Sequence, residues 1–210
     1  MRLYYRFMRF LSQAAFLLYF RGRVFGARGF PRSGSVLLVS NHQSFIDPIL
    51  VTCALPRESN YMARDTLFAN PFFKRLIGSL NAFPVRRGVA DVGAVKETLR
   101  RLKDGKVVVV FPEGTRTRDG SIGPIKPNSL SIARRAGAAI APAVVDGAFQ
   151  IWPRTKRLPR PGTVYVTYAE PITAEQVRDW PEEQLVRVVT ERMHAEMAKS
   201  RARRRRALQR

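Results

Sequence analysis

The run Lys106-Val107-Val108-Val109-Val110-Phe111 constrains this chain most. Four consecutive β-branched residues without polar alternation suit a strand buried on both faces, as in a parallel sheet covered by helices. Ser35 to Ser40 and Ala139 to Val145 have the same character, and Tyr61 to Ala63, Ala82 to Val85 and Val164 to Tyr168 read as further strands. Helical segments fall between them: Ile49 to Leu55 closed by Pro56, Phe72 to Leu80 opened by Asn70 and Pro71, Val89 to Lys103 stopped by Asp104 and Gly105, Ser129 to Ala136 ended near Gly137, and Glu182 to Ala198. This alternation predicts an α/β single domain with a central mixed, mostly parallel sheet flanked by helices.

The 210 residues suit one core plus terminal additions, because single cores usually hold about 100 to 200 residues. Three segments are expected: an amphipathic N-terminal segment over 1–30, the folded domain over 31–198, and a basic disordered tail over 199–210. At about 100° per residue, Arg2, Arg6, Arg9 and Gln13 fall in one narrow sector of an N-terminal helix, with Leu3, Phe7, Phe10, Leu11, Ala14, Leu17 and Leu18 opposite. Two readings of that helix stay open. It lies in a lipid headgroup region with its apolar side down, or it packs on the domain. The apolar run from Ala14 to Phe20 falls short of the roughly 20 residues needed to span a bilayer, and no cleavage site for a signal peptide follows.

The formal charge is +21. Lys199, Arg201, Arg203, Arg204, Arg205, Arg206 and Arg210 carry part of it, and the remaining body is still strongly basic, so polyanionic surfaces are expected partners. Anionic membrane phospholipid and nucleic acid both qualify on charge. The sequence lacks a recognisable nucleic-acid docking motif, and its aromatics cluster in Tyr4 to Phe20 and Asn70 to Phe83 beside apolar residues, so no specific nucleic acid is expected. The single Cys53 excludes an internal disulfide, and with only His42 and His194 as imidazoles a metal site is not expected.

Two segments carry chemistry. Asn41-His42-Gln43-Ser44-Phe45-Ile46-Asp47-Pro48 follows a buried strand and holds an imidazole and a carboxylate five positions apart. On an ideal helix these would point about 140° apart, so they meet only if His42 lies in the turn before the helix. There Asp47 would accept the Nδ1 proton and leave Nε2 as a general base. No Gly-x-Ser-x-Gly elbow occurs and Cys53 has no base beside it, so the nucleophile would be a substrate hydroxyl and no acyl-enzyme forms. The second segment, Phe111-Pro112-Glu113-Gly114-Thr115-Arg116, again ends a buried strand, where open α/β sheets bind ligands. Gly114 permits close backbone approach, Thr115 offers a hydroxyl, and Arg116 can grip a phosphate with two bonds. A plain Glu-Gly turn with a surface arginine is the competing reading.

Together the segments resemble the glycerolipid acyltransferase family. The resemblance rests on His42 and Asp47 within Asn-His-Gln-Ser-x-x-Asp-Pro, on Phe-Pro-Glu-Gly-Thr-Arg, and on Arg118 to Pro124 downstream, with weaker blocks bringing coverage to about residues 35–172. It implies transfer of a fatty acyl group from acyl-CoA or acyl-carrier protein to the sn-2 hydroxyl of 1-acyl-glycerol-3-phosphate (lysophosphatidic acid), giving phosphatidic acid, with no cofactor beyond that co-substrate. Acylation of glycerol phosphate or another lysolipid is the alternative within the class, and a basic membrane or nucleic-acid binding protein is the alternative outside it. The implied roles are His42 as base, Asp47 as its orienter, Glu113, Gly114, Thr115 and Arg116 at the substrate phosphate with Arg64 and Arg87 assisting, and Pro142 in the acyl-donor region. Lys126-Pro127-Asn128-Ser129 departs from the family's usual text and bears on substrate identity. A membrane-associated enzyme on the cytoplasmic face is expected.

Overall fold

The computed structural model describes residues 3–86 and 91–209. Seven strands form one sheet: β1 (Arg23–Phe25), β2 (Val36–Ser40), β3 (Ser59–Arg64), β4 (Ala82–Val85), β5 (Val107–Val110), β6 (Ala139–Asp146) and β7 (Tyr165–Tyr168). Their spatial order is β1-β7-β6-β2-β5-β3-β4, and every neighbouring pair is parallel except β6 with β7. The expected mixed, mostly parallel α/β sheet is therefore the one observed.

The apolar strand runs serve both faces, as expected of buried parallel strands. Val36 and Leu38 of β2 join Val107 and Val109 of β5 in one core, while Leu37, Val39, Val108 and Val110 join the opposite one. The second core is roofed by α4 (Val92–Lys103), α5 (Ser131–Ala136), α7 (Ala174–Asp179) and α8 (Glu182–Leu208), with Leu102, Ala133, Val177 and Leu185 buried in it. Burying the larger of these, Leu102, Val177 and Leu185, contributes roughly 1.5–3 kcal/mol each. The first core is closed by α1 (Leu3–Leu18), α2 (Asp47–Leu50) and α6 (Ala148–Ile151), and α3 (Pro71–Ser79) lies beyond β3 and β4.

The N-terminal helix sits on the domain with its polar side inward. Arg9 donates to the Leu55 carbonyl at 2.7 Å and Gln13 to the Cys53 carbonyl at 2.7 Å, while Tyr5 and Phe16 are buried beside them. The opposite side leaves Phe7 55 %, Phe10 64 % and Leu18 83 % exposed. The helix is therefore anchored by capping the frayed backbone after α2 and presents its apolar side outward.

Two expectations need correction. The segment after Asp47 is not a helix to Leu55: α2 is one turn long and residues 51–54 form turns, and the carbonyls of Cys53 in these turns and of Leu55 just after them accept from Gln13 and Arg9. The tail expected to be disordered over 199–210 continues α8 as far as Leu208. Ser200 is buried and hydrogen-bonded to Thr167 at 2.9 Å, and Arg204 pairs with Asp146. Arginine-rich composition predicts solvation, but a buried carboxylate in range of the helix reverses the balance.

Candidate active site

β2 and β5 are adjacent and parallel, so both end at the same edge of the sheet. The loops that leave them begin with Asn41 and Phe111, and this brings the two motifs together. Asn41 fixes the start of the first loop by a reciprocal pair with the Val145 backbone, donating to its carbonyl at 3.0 Å and accepting from its N–H at 2.8 Å.

His42 then lies in the turn ahead of α2, the position required for it to meet Asp47. Nδ1 of His42 is 2.8 Å from Oδ2 of Asp47, and the same oxygen accepts the backbone N–H groups of Gln43 at 2.5 Å and Ser44 at 2.6 Å. Asp47 is fully buried at the start of α2. The two backbone N–H groups fix this oxygen in front of the imidazole. In the tautomer that donates from Nδ1 to Asp47, the Nε2 lone pair is left available. The ring stacks on Phe111, with centroids 4.3 Å apart and planes 22° from parallel.

The second motif is tied to the first by backbone as well as side chain. The N–H of His42 donates to Oε1 of Glu113 at 3.1 Å, and the N–H of Thr117 donates to the His42 carbonyl at 2.8 Å. Burial pushes the Glu113 carboxyl up to about 7, against the lowering pull of the His42 and Gly123 N–H groups, and the charge of Asp47 adds to the rise. Gly114 has φ 71°, a left-handed conformation that strains any other residue, and a Cβ there would stand 2.5 Å from Nζ of Lys126. The Arg116 guanidinium lies 5.4 Å from the Phe45 ring centroid.

A cavity of about 540 Å³ opens beside this cluster, within the roughly 300–1,000 Å³ typical of ligand sites. His42, Phe111, Arg116 and Arg64 line its polar side, and it continues between α1, β3 and α3 past residues such as Tyr61 and Ile77. Tyr61 closes a hydroxyl cluster there, 2.7 Å from Thr52 and 3.4 Å from Tyr5. Cys53 also borders the cavity, but burial pushes its thiol up to about 11, which leaves it a poor nucleophile.

His42, Asp47, Glu113 and Arg116 are thus brought together, with Gly114 and Thr115 in the connecting turn and Arg64 at the cavity wall. Arg87 lies outside the described residues. Pro142 is buried within β6 opposite Val39 and is not among the residues that line this cavity. The sequence reading missed Phe111 as the stacking partner of His42, Lys126 over Gly114, and Gln43, whose amide donates to the Gly120 carbonyl at 2.9 Å and accepts from the Phe149 N–H at 3.2 Å. Gln43 and Asn41 flank His42 directly, which is the only signal that marked them.

The family model described as Acyltransferase matches residues 21–146. The 1-acyl-sn-glycerol-3-phosphate acyltransferase of Bacillus subtilis is 26 % identical over 173 residues, covering 82 % of this chain and 84 % of the relative. The chloroplastic 1-acyl-sn-glycerol-3-phosphate acyltransferase LPAT1 of Arabidopsis thaliana is 28 % identical over 158 residues, covering 73 % of this chain and 44 % of the longer plant protein. The crystal structure of the 1-acyl-sn-glycerophosphate (LPA) acyltransferase PlsC from Thermotoga maritima superposes with a TM-score of 0.84 at 28 % identity, covering 94 % of this chain and 80 % of that one.

Proposed function

This chain belongs to the acyltransferase family, and from that premise we propose that it transfers a fatty acyl group from a thioester, acyl-CoA or acyl-carrier protein, to the sn-2 hydroxyl of 1-acyl-glycerol-3-phosphate. The observation that carries the reading is the buried His42–Asp47 pair, 2.8 Å apart, at the rim of a largely apolar cavity that also exposes Arg116. The names of the relatives in Bacillus, Arabidopsis and Thermotoga support the same acceptor.

The chemistry follows from the residue types. Nε2 of His42 removes the acceptor hydroxyl proton as the oxygen attacks the thioester carbonyl, a step in which a positioned general base contributes roughly 10²–10⁴-fold. The tetrahedral adduct expels the thiolate and the imidazolium returns its proton to that sulfur, so the base is regenerated, the free thiol of the donor is released and the acyl group stays on the acceptor oxygen as an ester. Asp47 stabilises the imidazolium between the two transfers. Arg116, assisted by Arg64, binds the acceptor phosphate, and the guanidinium fork suits that anion. The acyl chain occupies the apolar end of the cavity between α1, β3 and α3.

The acceptor is an amphiphile, so the enzyme works at a membrane surface. No helix among the described residues is long and apolar enough to cross a membrane. The outward apolar side of α1, with Leu3, Phe7 and Phe10, supports insertion to headgroup depth, and we place that surface at the cytoplasmic face. The formal charge of +21 adds attraction to anionic lipid.

The test is release of free thiol from palmitoyl-CoA, and separately from palmitoyl-acyl-carrier protein, with lysophosphatidic acid as acceptor and lysophosphatidylcholine or glycerol phosphate as competitors. Acceptor-dependent release that His42→Ala abolishes is the expected result. No release from either donor with lysophosphatidic acid would overturn the assignment of acceptor.

A further inference from the structure

The arginine-rich end of α8 reaches the candidate active site by two routes. Arg204 meets Asp146 with both prongs of its fork, Nε to Oδ2 at 2.8 Å and Nη2 to Oδ1 at 3.2 Å. Asp146 is 2 % exposed and ends β6, immediately after Val145, whose backbone pairs reciprocally with the Asn41 side chain next to His42. One turn of α8 earlier, Arg201 donates to the Gly120 carbonyl at 3.0 Å. That carbonyl also accepts from Gln43, on the other side of His42, and Gly120 is held from within its loop by the Thr117 hydroxyl at 3.1 Å. Thr117 in turn donates its N–H to the His42 carbonyl.

We propose that the last turns of α8 are part of the active-site scaffold: Arg201 and Arg204 are positioning residues for His42, acting through the Gly120 carbonyl and the Asp146 carboxylate. Gln43 is fixed by the Gly120 carbonyl that Arg201 also holds, and Asn41 by the backbone of Val145, whose neighbour in the chain, Asp146, is held by Arg204. The two supports differ in strength. The Arg204–Asp146 pair is bidentate with a buried carboxylate, the kind of pairing that defines an orientation. Arg201 makes a single charge-assisted bond to a buried carbonyl that already has one donor. It tunes the loop without being needed to hold the fold, because Met193, Met197 and Ser200 bury the helix independently.

The proposal relies on the acyltransferase reading for its kinetic arm alone. Full-length protein is assayed in nonionic detergent micelles with palmitoyl-CoA and lysophosphatidic acid, so attraction to an anionic surface is not measured. Arg201→Met is expected to lower kcat about tenfold with both KM values within about twofold, as a displaced general base requires. Arg201→Lys recovers part of the loss and carries the test alone if Arg201→Met does not fold. Arg204→Lys, which keeps the charge and loses the fork, also lowers kcat. Arg205→Ala, an exposed arginine of the same helix, leaves kcat unchanged.

A second readout is independent of turnover. The chain has two histidines, so in a His194→Ala background the downfield Nδ1–H proton of His42 can be followed by NMR. It is expected to be sharp in that background and broadened when Arg201→Met is added, at an unchanged thermal midpoint. An unchanged kcat or an unchanged resonance in Arg201→Met overturns the proposal. An equal loss in Arg205→Ala also overturns it, by assigning the effect to net charge. Absence of turnover in the unsubstituted protein overturns this pairing of donor and acceptor instead, and the imidazole resonance then decides the positioning role by itself.

Discussion

The backbone N–H of His42 donates to Oε1 of Glu113 at 3.1 Å, joining two motifs that are 71 residues apart in the chain. The bond explains why the Glu113 carboxyl is drawn into the interior, where burial raises it to about 7. His42 is thereby positioned by one carboxylate at its ring and by another at its backbone.

A stability signature follows from Glu113. Its folded value of about 7 lies above the ordinary 4.5, so between those values the native state binds more protons than the unfolded chain. Stability from this group is fully present below about 4.5 and is lost as the pH rises through about 7. The thermal midpoint of the native protein is expected to fall relative to that of Glu113→Gln across this window. Parallel midpoint curves from pH 4.5 to 7 would show that Glu113 titrates normally.

Asp47 is tested through kcat. Asp47→Asn retains an oxygen for the Gln43 and Ser44 N–H groups but removes the charge that fixes the His42 tautomer. The expected loss in kcat is roughly 10²–10⁴-fold with KM little altered. A variant within about threefold of the native kcat would mean that the Asp47 charge is not what orients the base.

The fold was legible where burial is uniform. Val107 to Val110, buried in β5 on both faces, announced a parallel sheet because no polar residue interrupts the run. Arg23-Val24-Phe25 gave no such signal: three residues at a sheet edge, two of them only partly buried, have too little periodicity to be read. The antiparallel turn of β7 against β6 depends on the connection between them, which composition does not encode. At the site, His42 and Asp47 were legible because their spacing matters only in a pre-helical turn. The C-terminal arginines were misread because their partners, Asp146 and the Gly120 carbonyl, lie 58 and 81 residues away and only tertiary structure supplies them.

Arg116 is tested through the acceptor. It lines the cavity beside His42, and replacing its fork by Arg116→Ala removes a charged contact to phosphate that is ordinarily worth about 1.5–3 kcal/mol. KM for lysophosphatidic acid is expected to rise about ten- to a hundredfold while KM for the thioester donor holds. Monoacylglycerol, which lacks the phosphate, should be used equally by both proteins. A uniform loss on both acceptors would move Arg116 from phosphate binding to the structure of the loop.

The outward side of α1 makes the membrane assignment testable without touching the site. Phe7 and Phe10 are 55 % and 64 % exposed, so Phe7→Glu/Phe10→Glu removes no core contact and the thermal midpoint should shift little. Burying two phenyl rings at headgroup depth contributes roughly 1.5–3 kcal/mol each, so their loss should weaken vesicle binding by at least tenfold. Co-sedimentation with vesicles of phosphatidylcholine and phosphatidylglycerol measures this. Raising the salt should weaken the residual binding further, because the basic surface remains. Turnover of lysophosphatidic acid presented in vesicles should fall with binding, while turnover in detergent micelles should not. If vesicle binding survives the double substitution and disappears only with salt, the association is electrostatic, and α1 serves as a wall of the acyl cavity rather than as an anchor.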